Sequence, residues 1–186
     1  MSQKKPIDVA FTYMFEKLKV EGFNKLTKRV LVKETEDWLF FVQFTSILSP
    51  CKYAKLKNGF GWEIGAFLKG ANSYSGYKGS EYKGYPVKDA VGCHFRRYYI
   101  SPPFMLRSYE CGGFSHALLW RYLSKVNLTS MASSYDKHLS VWIDQLENLK
   151  EVKSYVNNMA INTKGVQDKK KWGSVYGLNE LIEYLE

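Results

Sequence analysis

Trp38-Leu39-Phe40-Phe41-Val42-Gln43-Phe44-Thr45-Ser46-Ile47-Leu48 is the stretch whose reading decides the fold. Both alternating sets of its side chains are apolar: Trp38, Phe40, Val42 and Phe44 on one, Leu39, Phe41 and Ile47 on the other. A run this short, rich in aromatic and β-branched residues, predicts a central strand covered on both faces. Gln43 is the one long polar side chain in its middle. Burial obliges its amide to find partners, because an unpaired one costs about 1–3 kcal/mol.

Outward from this strand, Arg29-Val30-Leu31-Val32-Lys33 reads as a second strand. The polar link Thr35-Glu36-Asp37 is short enough to require an antiparallel hairpin. Downstream, Ser49-Pro50 ends the central strand, and residues 59–68 alternate. Phe60, Trp62, Ile64, Ala66 and Leu68 point one way; Gly61, Glu63 and Gly65 point the other. The glycines leave room for a crossing element or a ligand to lie close. A fourth strand, residues 93–100, places Cys93, Phe95, Arg97 and Tyr99 on one face and His94, Arg96, Tyr98 and Ile100 on the other.

Helical spacing takes over at both ends. Ile7, Ala10, Phe11, Met14 and Leu18 predict a helix over residues 6–21, with Gly22 as a left-handed cap. Further helices are expected through Ala117, Leu118, Tyr122 and Val126, then through Leu139, Trp142, Ile143, Leu146 and Leu149 behind a cap at Ser133 or Ser134, and finally over residues 178–185. Residues 164–171 read as a charged loop. The expectation is one α+β domain over all 186 residues. Its sheet is an antiparallel β-meander of about four strands, packed by an N-terminal helix and C-terminal helices.

Composition narrows the function classes. A hydrophobic share of 45% supports a proper core, and the formal charge of +9 favours acidic partners: nucleic acid, an anionic surface or an acidic protein. No apolar run reaches the roughly 20 residues that span a bilayer, so no membrane partner is expected. Residues 1–6 are polar, without a secretory pattern, and Cys51, Cys93 and Cys111 form no close pair. Free thiols in a reducing cytoplasm follow from that reading.

Two surfaces are candidates. Residues 70–92 are rich in Gly, Ser, Tyr and Lys and exceed the usual length of a connection. Tyr74, Tyr77, Lys78, Tyr82, Lys83, Tyr85 and Lys88 set aromatic rings beside lysines. That combination serves single-stranded nucleic acid, where rings stack on bases, and equally a protein partner, where tyrosine buries area at little entropic cost. The structural alternative is that these tyrosines pack back on the sheet.

The second surface is His94, Arg96 and Arg97 with Glu63. Two guanidinium groups beside an imidazole suit a phosphate or carboxylate, and a histidine that titrates near neutrality suits a general base. The structural alternative pairs the arginines with Glu63 or Glu110. Cys93, His94, Cys111 and His116 suffice for a metal by count, but neighbours on a strand point to opposite faces and no zinc-like spacing occurs. No metal and no cofactor are expected. A Gly-x-Ser-x-Gly elbow, a phosphate-binding loop and a dinucleotide fingerprint are all missing from the sequence, which points away from an enzyme.

The helix ending at Gly22-Phe23, the strand holding Gln43, the strand over residues 59–68 and Cys93-His94-Phe95-Arg96 together resemble a bacterial family known only as domain of unknown function 4304. The resemblance covers roughly the first two thirds of the chain. The Tyr/Lys/Gly insertion and the lysine-rich tail depart from its pattern. It implies a soluble bacterial or phage protein with no assigned activity. The expected function is a non-enzymatic binding protein that holds an acidic partner, by analogy in immunity or counter-defence. Its alternatives are nucleic-acid binding, with or without nuclease activity, through the Tyr/Lys loop and Arg96 and Arg97, and a small-molecule pocket between the sheet and the helix through Leu139 to Leu149, with Glu63, His94 and Arg96 at its mouth.

Overall fold

The structure, a computed structural model, describes residues 6–46, 60–73, 79, 81–99, 128–129, 132–133, 135–161 and 172–186. It is an α+β arrangement around one antiparallel sheet of six strands in the order β1-β2-β3-β4-β5-β6. The strands are β1 (Asn24–Thr27), β2 (Val30–Glu34), β3 (Trp38–Ser46), β4 (Phe60–Leu68), β5 (Phe95–Tyr99) and β6 (Ser174–Val175). The expected four-strand meander is therefore extended at both edges. β1 escapes a pattern search because Asn-Lys-Leu-Thr is mostly exposed and bulged between Lys25 and Thr27. β6 escapes it because two residues carry no period.

β3 sits in the middle of the sheet, pairing Val42 with Leu31 on one side and with Ile64 on the other. Its expected last residues, Ile47 and Leu48, lie outside the described residues. Both faces are covered, as the double apolar pattern requires. Trp38, Phe40, Val42 and Phe44 join Trp62, Ile64, Ala66 and Leu68 in the larger core, beneath the helices. Leu39 and Phe41 join Val30, Val32 and Phe67 in a smaller core on the opposite face.

The larger core is capped first by α1 (Pro6–Leu18), whose Ile7, Ala10, Phe11, Met14 and Leu18 are all buried. A short 3-10 turn follows, and Gly22 closes it at φ 91°. Gly22 N–H then reaches Lys19 O and Phe23 N–H reaches Leu18 O, both at 3.2 Å, which satisfies the last carbonyls. Phe11 meets Phe44 edge-on at 5.6 Å, and Phe44 stacks on Trp62 at 5.9 Å. Each such pair adds about 0.5–1.5 kcal/mol beyond the area it buries.

The C-terminal helices differ from expectation in one respect. The stripe through Leu149 predicted one helix. The chain instead runs as a π-helical turn (Tyr135–Ser140), α2 (Val141–Glu147), a break at Asn148, and α3 (Leu149–Ile161). Asn148 leaves the helical region (ψ 84°), its Oδ1 accepts from Glu151 N–H at 3.4 Å, and its amide returns to Glu151 Oε1 at 3.3 Å. This reciprocal cap starts a new helix three residues before a glutamate. α4 (Leu178–Leu185) forms where the sequence places it. The expected helix through Ala117 to Val126 and the loop 164–171 lie outside the described residues. Among the described residues, no helix is long and apolar enough to cross a membrane.

Candidate functional site

His94 and Arg96, with Glu63, lie on the smaller-core face, and local register explains their partners. Antiparallel pairing sets Gly65 opposite Arg96 and Glu63 opposite both Gln43 and Tyr98. Arg96 and Glu63 share this face of neighbouring strands, two residues apart in register, so their side chains can meet. Its Nη2 is 3.3 Å from Glu63 Oε2, with side-chain exposures of 10% and 7%. The guanidinium also sits 4.8 Å from the centre of the Tyr176 ring, which follows β6. Buried pairs of this kind are held by mutual need: removing one partner leaves an uncompensated charge and costs about 3–5 kcal/mol. Arg97 lies on the opposite face, half-buried, in register with Ile64.

His94 is fully buried, and both ring nitrogens are engaged. Leu68 N–H donates to Nδ1 at 3.1 Å, and Nε2 lies 2.8 Å from Asn72 O. The first bond makes Nδ1 an acceptor, so the proton is on Nε2 and the ring is the neutral tautomer. Burial pushes its pKa below 6.5, against the opposing effects of the Asn72 carbonyl and the Glu180 carboxylate. The ring stacks on Phe67 at 4.5 Å. In this arrangement the imidazole brackets the end of β4, the turn after it and β5.

Strict alternation places Cys93 with Phe95, and here the structure corrects the sequence. β5 begins at Phe95, so Cys93 belongs to the preceding turn and packs in the smaller core with Phe67. Its thiol donates to Asp89 O at 3.4 Å, and burial pushes its pKa well above the ordinary value.

The same face receives the tyrosine-rich segment. Tyr82 and Tyr85 exchange two backbone hydrogen bonds of 2.9 Å around Lys83 (φ 50°) and Gly84 (φ 85°). Two left-handed central residues make this the tight turn whose twist suits a hairpin. Tyr82 packs edge-on against Phe41 at 6.1 Å and Tyr85 against Phe67 at 6.4 Å. Further along, Asp89 caps a 3-10 turn (Ala90–Gly92) by accepting from Val91 and Gly92 N–H. Ala90 N–H donates to Gln43 Oε1 at 3.1 Å, which supplies the partner that Gln43 needs in the middle of β3. Residues 81–93 thus form a strap across the glycine face of β4.

At the strap's tip, Lys83 Nζ is 2.8 Å from Glu34 Oε2, and Lys69 Nζ is 3.1 Å from Glu34 Oε1. The hydrogen bonds from Lys83 and Lys69 hold the Glu34 carboxyl below its usual pKa. The sequence candidates therefore fall into two places. Tyr82, Lys83 and Tyr85 gather around Glu34 and Lys69, while Glu63, His94 and Arg96 are spent within the sheet. Tyr74, Tyr77 and Lys78 lie outside the described residues. Glu63 and Arg96 face away from α2, so the sheet itself stands between them and the helix proposed to share a pocket with them. A shallow cleft of about 230 Å³ opens elsewhere, lined by Thr35, Glu36, Asp37, Trp38 and Glu147. Among the described residues, no group of three or more His, Cys, Asp or Glu could hold a metal ion.

Sequence reasoning missed Glu34, Lys69 and Tyr176. Register alone could have found two of them: pairing Trp38 with Leu68 brings the next residue, Lys69, beside the β2–β3 turn. Comparison with family models, with curated proteins and with solved structures returns no match for this chain.

Proposed function

We propose that the chain is a non-enzymatic binding protein of bacterial or phage origin that holds an acidic protein partner in the cytoplasm. The observation that carries this reading is the strap's tip. There Lys83, with 60% of its side chain exposed, stands on a rigid two-residue turn and beside a second lysine. Two further observations support it. The nucleophilic and acid–base candidates of the described face, Cys93, His94, Glu63 and Arg96, are each engaged in internal contacts. The formal charge of +9 over the whole chain also favours an acidic partner. The resemblance to domain of unknown function 4304, and a place in immunity or counter-defence, belong to the same proposal.

The test is fluorescence anisotropy of labelled poly-glutamate with the full chain, at low and at raised salt. Gel shifts with single-stranded and duplex oligonucleotides run in parallel. Binding of poly-glutamate that weakens as salt screens the charges supports the reading. Oligonucleotide shifts at low salt without poly-glutamate binding would refute it and favour nucleic acid, where phosphate contacts dominate.

A further inference from the structure

We propose that Lys69, Lys83, Tyr82 and Tyr85 form a cradle for a carboxylate side chain, and that Glu34 occupies it as an internal stand-in for the partner. This rests on the acidic-partner reading above and names the group that the site takes and how it is kept closed.

The geometry is that of a bound ligand. Each oxygen of the Glu34 carboxylate meets a different lysine: Oε1 is 3.1 Å from Lys69 Nζ and Oε2 is 2.8 Å from Lys83 Nζ. Each lysine lies over a tyrosine ring, Lys69 at 5.8 Å from the centre of Tyr85 and Lys83 at 5.4 Å from that of Tyr82. The two ammonium groups are already spaced to bridge the two oxygens of one carboxylate, and the occupant named here is accordingly an aspartate or glutamate side chain of an acidic peptide. A nucleic acid is the alternative that the test separates.

Two features keep the cradle formed when Glu34 leaves. Lys69 Nζ also donates to Thr35 O at 2.6 Å and to Glu36 O at 3.2 Å, so it is pinned by backbone. Tyr82 and Tyr85 are anchored on Phe41 and Phe67, beneath the turn rather than by the ion pair. Lys83 is exposed, so its pair with Glu34 contributes little to stability, and Lys69 keeps its two backbone carbonyls when Glu34 leaves; an outside carboxylate can replace Glu34 at small cost.

An independent sign comes from the backbone. Lys83 has φ 50°, a left-handed conformation that a two-residue hairpin normally gives to asparagine, aspartate or glycine. A lysine there is a poor choice for the turn, and conformational strain of this kind collects where side-chain placement serves binding. The turn's needs and the cradle's needs are thus opposed at one residue, which makes them separable.

The experiment measures anisotropy of labelled poly-glutamate on the full chain and three variants, with a melt on each. Glu34→Gln removes the stand-in. If Glu34 fills the cradle four-fifths of the time, its removal tightens binding about fivefold. Glu183→Gln, an exposed change of equal charge on α4, gives the smaller gain due to net charge alone. Lys83→Asn suits the turn better, so it melts at or above the parent while binding about three- to fivefold more weakly. Glu34→Gln matching Glu183→Gln, or Lys83→Asn binding like the parent, overturns the proposal. Tighter binding of an oligonucleotide than of poly-glutamate by Glu34→Gln overturns it as well. If the parent binds poly-glutamate in a salt-dependent way and the variants behave like the parent, the cradle fails and the acidic-partner reading stands. If neither the parent nor Glu34→Gln binds, both fall.

Discussion

Gly65→Ala tests whether the strap is seated on the sheet as described. A Cβ at residue 65 would lie 2.6 Å from Cys93 Sγ, 2.7 Å from Cys93 Cβ and 2.8 Å from Ala90 Cα. Carbon atoms in good contact sit about 3.5–4.0 Å apart, so the strap must retreat by about 1 Å. Ala90 Cα is backbone and cannot rotate away, and Gly65 is fixed in mid-sheet between Phe41 and Arg96. Overpacking of this kind costs about 1–3 kcal/mol, and loss of glycine's freedom in the unfolded chain offsets about 0.5–1 kcal/mol of it. The net is a destabilisation of up to about 2.5 kcal/mol, a fall in Tm of up to about 10 °C for a chain of this length. Melting by circular dichroism reads the first quantity. Alkylation with iodoacetamide, mapped by mass spectrometry to Cys93, reads the second, because a displaced strap uncovers that thiol. Gly65→Ala melting level with the parent, with Cys93 still unlabelled, would show that the strap does not lie against Gly65.

Two further outcomes follow from the buried polar groups. For His94 the fold holds the pKa below 6.5, so between the two values the unfolded chain binds the extra proton; its contribution is whole above about pH 6.5 and fades as pH falls beneath that. Melts at about pH 7.5 and about pH 5 should show a drop in the parent and a smaller drop in His94→Gln, whose amide oxygen can still accept from Leu68 N–H but which starts lower because it loses the ring's stack on Phe67; equal drops would count against the assignment. For the ion pair, Glu63→Ala should cost about 3–5 kcal/mol in urea unfolding, while Glu63→Met with Arg96→Met together should recover most of it. A double variant no better than the single one would contradict the pairing.

The parts of the fold that were legible share one property: their signal is periodic and local. Trp38 to Phe44 announces a doubly covered strand because both residue sets are apolar, and Ile7 to Leu18 announces a helix because one stripe is. The parts that were not legible depend on partners elsewhere. β6 exists only because β5 offers it an edge, with Phe95 paired to Val175 and Arg96 to Ser174. The helix break at Asn148 was open to reading, since Asn followed three residues later by Glu is a cap signature, but the apolar stripe through Leu149 outweighed it. Lys83 and its two tyrosines were singled out from composition, yet Glu34 and Lys69 reach them only through strand register. Cys93 was misplaced because alternation was extended two residues beyond the strand that justified it.

The neighbour-to-neighbour order of the sheet has a bearing on how it assembles. Strands one to five each pair with the one before them in sequence, across links no longer than the stretch 69–94 between β4 and β5, and contacts between nearer segments form faster than those between distant ones. The sixth must wait for residues 100–173 to be traversed before it meets its neighbour, and closing so long a loop carries a larger entropic toll. Two residues of pairing are a thin reward for that, which leaves the aromatic stack of Trp172 on Tyr155 at 4.6 Å and the indole bond from Trp142 to Trp172 O at 3.2 Å to fasten the far margin once it arrives.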